Sequence, residues 1–171
     1  MKRKLTQEQR ESCEGEIVLK EVQAIKKKMR KAKASGIDGL PVEFWQKFDF
    51  LDEWLVKVFN EMKKRTKMTW SMRTAVVKLL FKKGEQNKMS NYRPISLLCA
   101  DYKMLAKMIT ERMKPVLNAV IEKAQQGFIK DGNIVGSLIL VKEIIEYCNE
   151  EDVEGALILM DFKKAYDRID R

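Results

Sequence analysis

The sequence predicts an α+β fold that is rich in helix and contains a few antiparallel strands. Apolar residues recur at helical spacing in four long stretches, and three shorter runs are apolar or extended in character. These helical and strand-like segments are mixed along the chain without strict alternation. That pattern favours the α+β class.

The first third of the chain predicts two helices joined by a tight turn. Over residues 14–34, apolar side chains occupy one helical face, while lysines and arginines occupy the others. Two glycines and a proline between Ser35 and Pro41 then break this helix. Pro41 is a favoured first residue for the next helix, which runs to about Met62 before a basic loop over 63–67.

The remaining elements follow from composition and from two prolines. The residue before Pro94 avoids the helical conformation, which makes its segment extended. Pro115 lies inside a long apolar stripe and predicts a kink or a break in that helix. The predicted elements are, in order, strands at 74–81 and 92–97, helices at about 101–123 and 133–149, and a strand at 155–161.

The charge of the chain is positive and unevenly distributed. The 171 residues carry a net charge of +9, with 45% hydrophobic residues, enough for one domain or a large piece of one. Residues 1–35 carry eleven bases against five acids, and residues 150–171 carry seven acids against four bases. A basic body beside an acidic end suits a polyanion-binding surface next to a metal site. Solvated lysine-rich helix faces are the alternative.

The three cysteines are far apart, and the chain has no histidine. This excludes a Cys/His zinc site and any catalytic arrangement that needs histidine. A disulfide framework is not expected, so the sequence favours a reducing, intracellular setting. No signal peptide is visible and no apolar run approaches membrane-spanning length, so no membrane partner is expected.

Two motifs carry the functional information. An apolar run from Gly155 leads directly into Asp161, and Phe162, Tyr166 and Asp167 follow it. Upstream stands the segment Asn-Tyr-Arg-Pro-Ile-Ser-Leu-Leu, residues 91–98. Together, in this order, they resemble the reverse transcriptases of LINE-type (non-LTR) retrotransposons. The resemblance extends from about residue 15 to the end and implies right-hand polymerase fingers with a partial palm.

The resemblance implies that Asp161 is a catalytic, metal-binding carboxylate at the end of a palm strand. The backbone carbonyl of Phe162 is then a further ligand, and Tyr166 packs under the incoming sugar. Nucleotidyl transfer by such enzymes uses two divalent ions, Mg²⁺ in the family, held by oxygen ligands on rigid elements. From the residues alone, Asp161 capping a turn and Tyr166 in the core remain alternatives.

Four further residues are candidates for nucleotide or template binding by the same resemblance. Arg93 and Lys103 lie in the fingers near the triphosphate, where fixed cations suit its negative charges. Gly127 and Phe128 line the template side, where glycine permits close backbone approach and Phe128 stacks on a base or packs beneath it. The alternatives are surface cations and, for Phe128, a place in the core.

The sequence also departs from the family pattern. Asp131-Gly132 stand where Gly-Arg is common, and Gly136-Ser137 stand where Asp-Asn is common. The segment Lys33–Phe44 resembles a family loop but lacks both of its prolines; it lies over the template or is only a turn between helices. The other family carboxylates belong to an Asp–Asp hairpin downstream, and no Asp–Asp pair occurs here.

These features predict an N-terminal fragment of an RNA-directed DNA polymerase that is inactive alone. Residues 1–62 are expected to form a helical N-terminal extension, and residues 63–171 the reverse transcriptase domain. The implied partners are an RNA template, a DNA primer and deoxynucleoside triphosphates. Self-association through an exposed sheet edge and, by resemblance, nuclear localisation are also expected. The alternative is a non-catalytic nucleic-acid-binding module derived from such an element.

Overall fold

The computed structural model describes residues 4–121, 125, 127 and 134–161, and the chain divides into two compact units, Met1–Ile121 and Glu122–Arg171. The described residues contain helices and one antiparallel pair of strands, which confirms the predicted α+β class. The elements are α1 (Gln7–Glu14), α2 (Leu19–Lys28), α3 (Val42–Lys47), α4 (Asp52–Arg65), α5 (Trp70–Arg73), β1 (Val76–Phe81), β2 (Tyr92–Leu97), α6 (Ala100–Val120) and α7 (Ile134–Glu150).

The first unit is organised around a small core between α2, α4 and α6. Its members are apolar side chains spaced three or four residues apart on each helix, as an amphipathic helix requires. Methionines fill much of the space, since their unbranched chains adapt to irregular gaps. The buried cluster comprises Ile17, Val22, Ile25, Leu55, Phe59, Met62, Met72, Met104 and Met108.

The helix predicted over 14–34 is present but shorter, since α2 spans only Leu19–Lys28. Val22 and Ile25 of the predicted apolar face lie on α2, whereas Ile17 lies in a bend over 15–18 that separates α2 from α1. Asn60 stabilises the bend, because its side chain accepts a hydrogen bond from the Ile17 N–H at 2.8 Å and donates one to the Ile17 carbonyl at 2.9 Å. Arg112 adds hydrogen bonds to the Gly15 and Glu16 carbonyls. These long-range bonds replace the helical ones.

Arg112 also pairs with Glu21, which lies in the first turn of α2. Its guanidinium donates to both Glu21 oxygens at 2.7 Å, a two-point geometry that is stronger than a single contact. The hydrogen bond from Arg112 holds the pKa of Glu21 below its ordinary value. The pair therefore joins α2 to α6 most firmly at pH values where Glu21 is ionised.

A buried ion pair joins α2 to the start of α4. The Lys26 Nζ lies 2.6 Å from an oxygen of Asp52, and both side chains are almost completely buried. The same ammonium lies 2.6 Å from Asp49, whose side chain is exposed. Burial alone lowers the pKa of Lys26, but the hydrogen bonds to Asp49 and Asp52 outweigh it and raise the pKa, so Lys26 remains charged.

Strands β1 and β2 form an antiparallel ribbon that confirms the predicted extended segments. The register pairs Val76 with Leu97 and Phe81 with Tyr92, whose rings meet edge to face. Side chains on both faces of the ribbon are largely exposed. The sequence predicted a kink or a break at Pro115, and the break does not occur. Helix α6 is continuous through this residue, and Val116 is buried.

In its described part, the second unit consists of residues 125 and 127, helix α7 and a segment after α7 without regular secondary structure. The helix predicted at 133–149 is confirmed, since α7 spans Ile134–Glu150. The strand predicted at 155–161 is wrong, because residues 153–161 have no regular secondary structure and Leu157–Met160 are exposed. No described segment pairs with these residues, and a strand needs such a partner for its backbone hydrogen bonds. Among the described helices, none has the length and apolarity to span a bilayer.

Candidate functional site

Asp161 is the last residue that the structure describes, and it lies at the end of the exposed segment after α7. Its side chain is exposed, and no described residue gives it a hydrogen bond or an ion pair. Its carboxylate oxygens are therefore accessible as hard ligands of the kind that divalent cations prefer. Phe162 and Tyr166, which were predicted beside it, lie outside the described residues.

Arg93 lies on β2 in the first unit and is exposed. It stands opposite Leu80, and Lys78 lies on the same ribbon face, two residues along β1. No described side chain pairs with the Arg93 guanidinium. Further lysines at 82, 83 and 88 follow in the connection between the strands, with Glu85 as their acidic neighbour. This end of the ribbon is thus strongly basic and exposed, as binding of an anionic partner requires.

Lys103 lies in the first turn of α6, and its Nζ donates to the backbone carbonyl of Ala34 at 3.3 Å. This contact joins α6 to the segment Lys33–Phe44, which includes the glycine-containing loop before α3. A second contact lies beside it: Gly36 packs so closely on Cys99 that a Cβ at Gly36 would stand 2.6 Å from the Cys99 Cα. The segment is therefore held against the N-terminus of α6.

The structure brings together three residues that the sequence did not connect. Ligand atoms of Asp38, Cys99 and Asp101 all lie within 4.8 Å of one another. Burial, with Asp38 adding to it, raises the pKa of Asp101 and favours its neutral form. The buried Cys99 thiol donates to the Ser71 carbonyl at 3.5 Å. Because about sixty residues separate Asp38 from the other two, only the folded loop could reveal this cluster.

Gly127 belongs to the second unit, where it lies in a turn and is partly buried. A Cβ built at this position would meet no atom within 4 Å, so the space over its backbone is open. Phe128, predicted to act with it on the template, lies outside the described residues. The candidate residues are thus divided between the two units, with Arg93 and Lys103 in the first and Gly127 and Asp161 in the second.

Comparison with known proteins identifies the class. Residues 81–171 match the family model of reverse transcriptases, described as RNA-dependent DNA polymerases. This match covers more than half of the chain, so the chain belongs to the reverse transcriptase family. The chain is also 34% identical, over 167 residues, to the transposon TX1 uncharacterized 149 kDa protein of Xenopus laevis. That alignment covers 97% of the chain and 13% of the relative.

These findings confirm the resemblance to reverse transcriptases of LINE-type retrotransposons. The helix-rich α+β fold is consistent with the fingers and partial palm of such a polymerase. The family acts on a nucleic-acid template with nucleotide substrates and uses divalent metal. A non-catalytic binding module, the alternative raised by the sequence, is not favoured.

Proposed function

We propose that residues 63–171 supply the fingers and the start of the palm of an RNA-directed DNA polymerase, with residues 1–62 as a helical N-terminal extension. The observation that carries this proposal is the family match over residues 81–171, which contains Arg93, Lys103 and Asp161 together. The substrates are an RNA template, a DNA primer and deoxynucleoside triphosphates.

In this proposal Arg93 and Lys103 bind the phosphates of the incoming nucleotide. Arg93 is exposed on a basic part of the ribbon, and its planar guanidinium suits two-point contact with phosphate oxygens. Lys103 gives one hydrogen bond to Ala34 and retains further donors, because an ammonium has three. The Ala34 contact positions the Lys103 ammonium at the start of α6, where the helix N-terminus also favours an anion.

Asp161 has the donor chemistry for Mg²⁺, since its exposed carboxylate has no competing protein partner among the described residues. We assign it as a metal ligand, with the Phe162 carbonyl as a second oxygen ligand. Ions held there would supply positive charge for the attacking and leaving oxygens of nucleotidyl transfer. Tyr166 packs under the incoming sugar, and Gly127 and Phe128 contact the template. No Asp–Asp pair occurs in these 171 residues, so they hold one side-chain carboxylate of that metal set.

The exposed apolar run before Asp161 provides a route to self-association. Leu157 to Met160 are all more than half exposed, and exposed apolar segments pair readily with other chains. We therefore propose that the isolated chain associates through this run. By its resemblance to elements that prime on chromosomal DNA, the protein is assigned a nuclear site of action.

Two measurements on the 171-residue chain test this function. Primer extension on an RNA template with Mg²⁺ should give no product, because the carboxylate set is incomplete. Binding of single-stranded RNA should occur without metal, and its affinity should fall linearly with salt on logarithmic axes. If the chain extends the primer, the conclusion that it holds only one of the metal-binding carboxylates is wrong. Absence of any salt-dependent RNA binding would overturn its role as polymerase fingers.

A further inference from the structure

An open groove lies along the exposed side of α4 in the first unit. It has a volume of about 540 Å³ and is bordered by Trp54, Lys57, Val58, Arg65, Lys67 and Met68. The volume falls within the range of small-ligand sites, roughly 300–1,000 Å³. Residues 54, 58, 61 and 65 follow one helical face, so the groove presents a continuous strip of α4 rather than a chance gap.

Trp54 is the unusual member of this strip. Its side chain is 64% exposed, although tryptophan is highly buried on average in folded proteins. The Lys57 Nζ lies 5.3 Å from the centre of its ring, over one face. This cation–π contact orients the indole and places a positive charge beside a flat apolar surface.

The charge around the groove favours an anionic occupant. Lys57, Arg65 and Lys67 border it against a single acid, Glu61, which is paired with Arg65 at 2.6 Å. Lys63 and Lys64 extend the positive charge along the last turn of α4. No described residue pairs with the Lys67 ammonium. The groove therefore combines the flat surface of the Trp54 indole with positively charged side chains around it.

We propose that this groove binds single-stranded RNA, with a base stacked on Trp54 and phosphates near Lys57 and Lys67. Bases stack on aromatic side chains in proteins that bind single strands, and cations beside the ring follow the backbone. An acidic peptide would satisfy the charges but would leave the flat indole face unused. This inference rests on the proposed function in one respect, the choice of RNA as the polyanion that the groove binds.

The test compares Trp54→Ala with Trp70→Ala in the 171-residue chain. Trp70 is also 64% exposed but does not border the groove, so it is a matched control. Stacking contributes about 1–3 kcal/mol per base, which corresponds to a loss of roughly fivefold or more in affinity for an oligouridylate. We expect that loss for Trp54→Ala, retention of most affinity by Trp54→Phe, and no change for Trp70→Ala. Lys57→Gln should lower, by about one, the slope of the logarithm of RNA affinity against the logarithm of salt concentration.

Indole fluorescence gives a second readout that a structural role would not affect. Oligouridylate should quench part of the emission of the unchanged chain, and this part should be absent in Trp54→Phe. If the chain binds RNA and Trp54→Ala binds it equally well, the groove proposal fails while the proposed function stands. If Trp54→Ala loses affinity for polyglutamate as it does for RNA, the groove is a site for acidic proteins and the proposal is overturned. If the unchanged chain does not bind RNA, the proposed function itself fails.

Discussion

Replacement of Lys26 by methionine should reveal how strongly the first unit depends on its buried charges. Lys26 is 4% exposed and Asp52 is 1% exposed, and the ammonium lies 2.6 Å from the Asp52 carboxylate. The second Asp52 oxygen, Oδ2, is already buried without a hydrogen-bond partner. Methionine retains the apolar stem of lysine but leaves the Asp52 charge uncompensated in the interior.

The expected cost at pH 7 follows from two limits. Breaking a buried pair by removing one partner costs about 3–5 kcal/mol. The carboxyl can also escape by taking up a proton, which costs about 1.36 kcal/mol for each pH unit above its ordinary pKa near 3.9, or about 4 kcal/mol at pH 7. At pH 5 the same escape costs only about 1.5 kcal/mol. The destabilisation should therefore shrink as the pH falls, because taking up a proton removes the uncompensated charge from the interior.

Urea denaturation followed by circular dichroism at pH 7 and pH 5 measures this difference directly. Two controls separate the charge from the loss of packing. Asp49→Asn removes the exposed partner and should change stability little. Asp52→Asn, added to Lys26→Met, should make the cost smaller and independent of pH. A Lys26→Met variant with nearly unchanged stability at pH 7, or with the same cost at both pH values, would refute the reasoning.

Two further predictions concern the segment that packs on α6. Gly36→Ala places a Cβ against backbone atoms of Cys99, which cannot rotate away, and should cost about 1–3 kcal/mol in chemical denaturation; unchanged stability would contradict the close packing. Asp101→Asn should raise stability at pH 7, because a carboxyl with a raised folded pKa penalises folding as the pH rises above its ordinary value. The gain should vanish in acid, and a loss at pH 7 would show that the Asp101 charge is used.

Much of the fold follows from local sequence. The X-Pro rule placed β2 at its observed bounds, because the restriction imposed by Pro94 acts on its direct neighbour. The apolar stripe that includes Leu105, Met108 and Val116 likewise predicted α6, since its period depends only on helix geometry. Such signals lie within a few residues of the position that they determine.

The errors arose where distant residues decide the backbone. The bend between α1 and α2 depends on Asn60 and Arg112, which lie far along the chain from Ile17. The segment 155–161 has the composition of a strand, but composition cannot provide the neighbouring strand that its backbone needs. In both segments the local sequence favoured a regular element. Contacts with distant residues, or the lack of a described partner strand, determined whether that element formed.

The candidate site divides in the same way. Arg93, Lys103 and Asp161 could be proposed from the sequence because each belongs to a short motif with a recognisable neighbour. The contact between Lys103 and Ala34, and the groove at Trp54, have no such motif. They depend on how α4, α6 and the loop before α3 fold.

The role of Asp161 is tested most directly by primer extension in a chimera. Residues 1–171 are joined to the downstream palm of a reverse transcriptase that supplies the Asp–Asp pair, and extension is measured on an RNA template with Mg²⁺. Asp161→Ala should abolish extension, while Glu154→Ala, which removes another exposed acid from the same segment, should retain it. Equal extension by the two variants would contradict the assignment of Asp161 as the catalytic metal ligand.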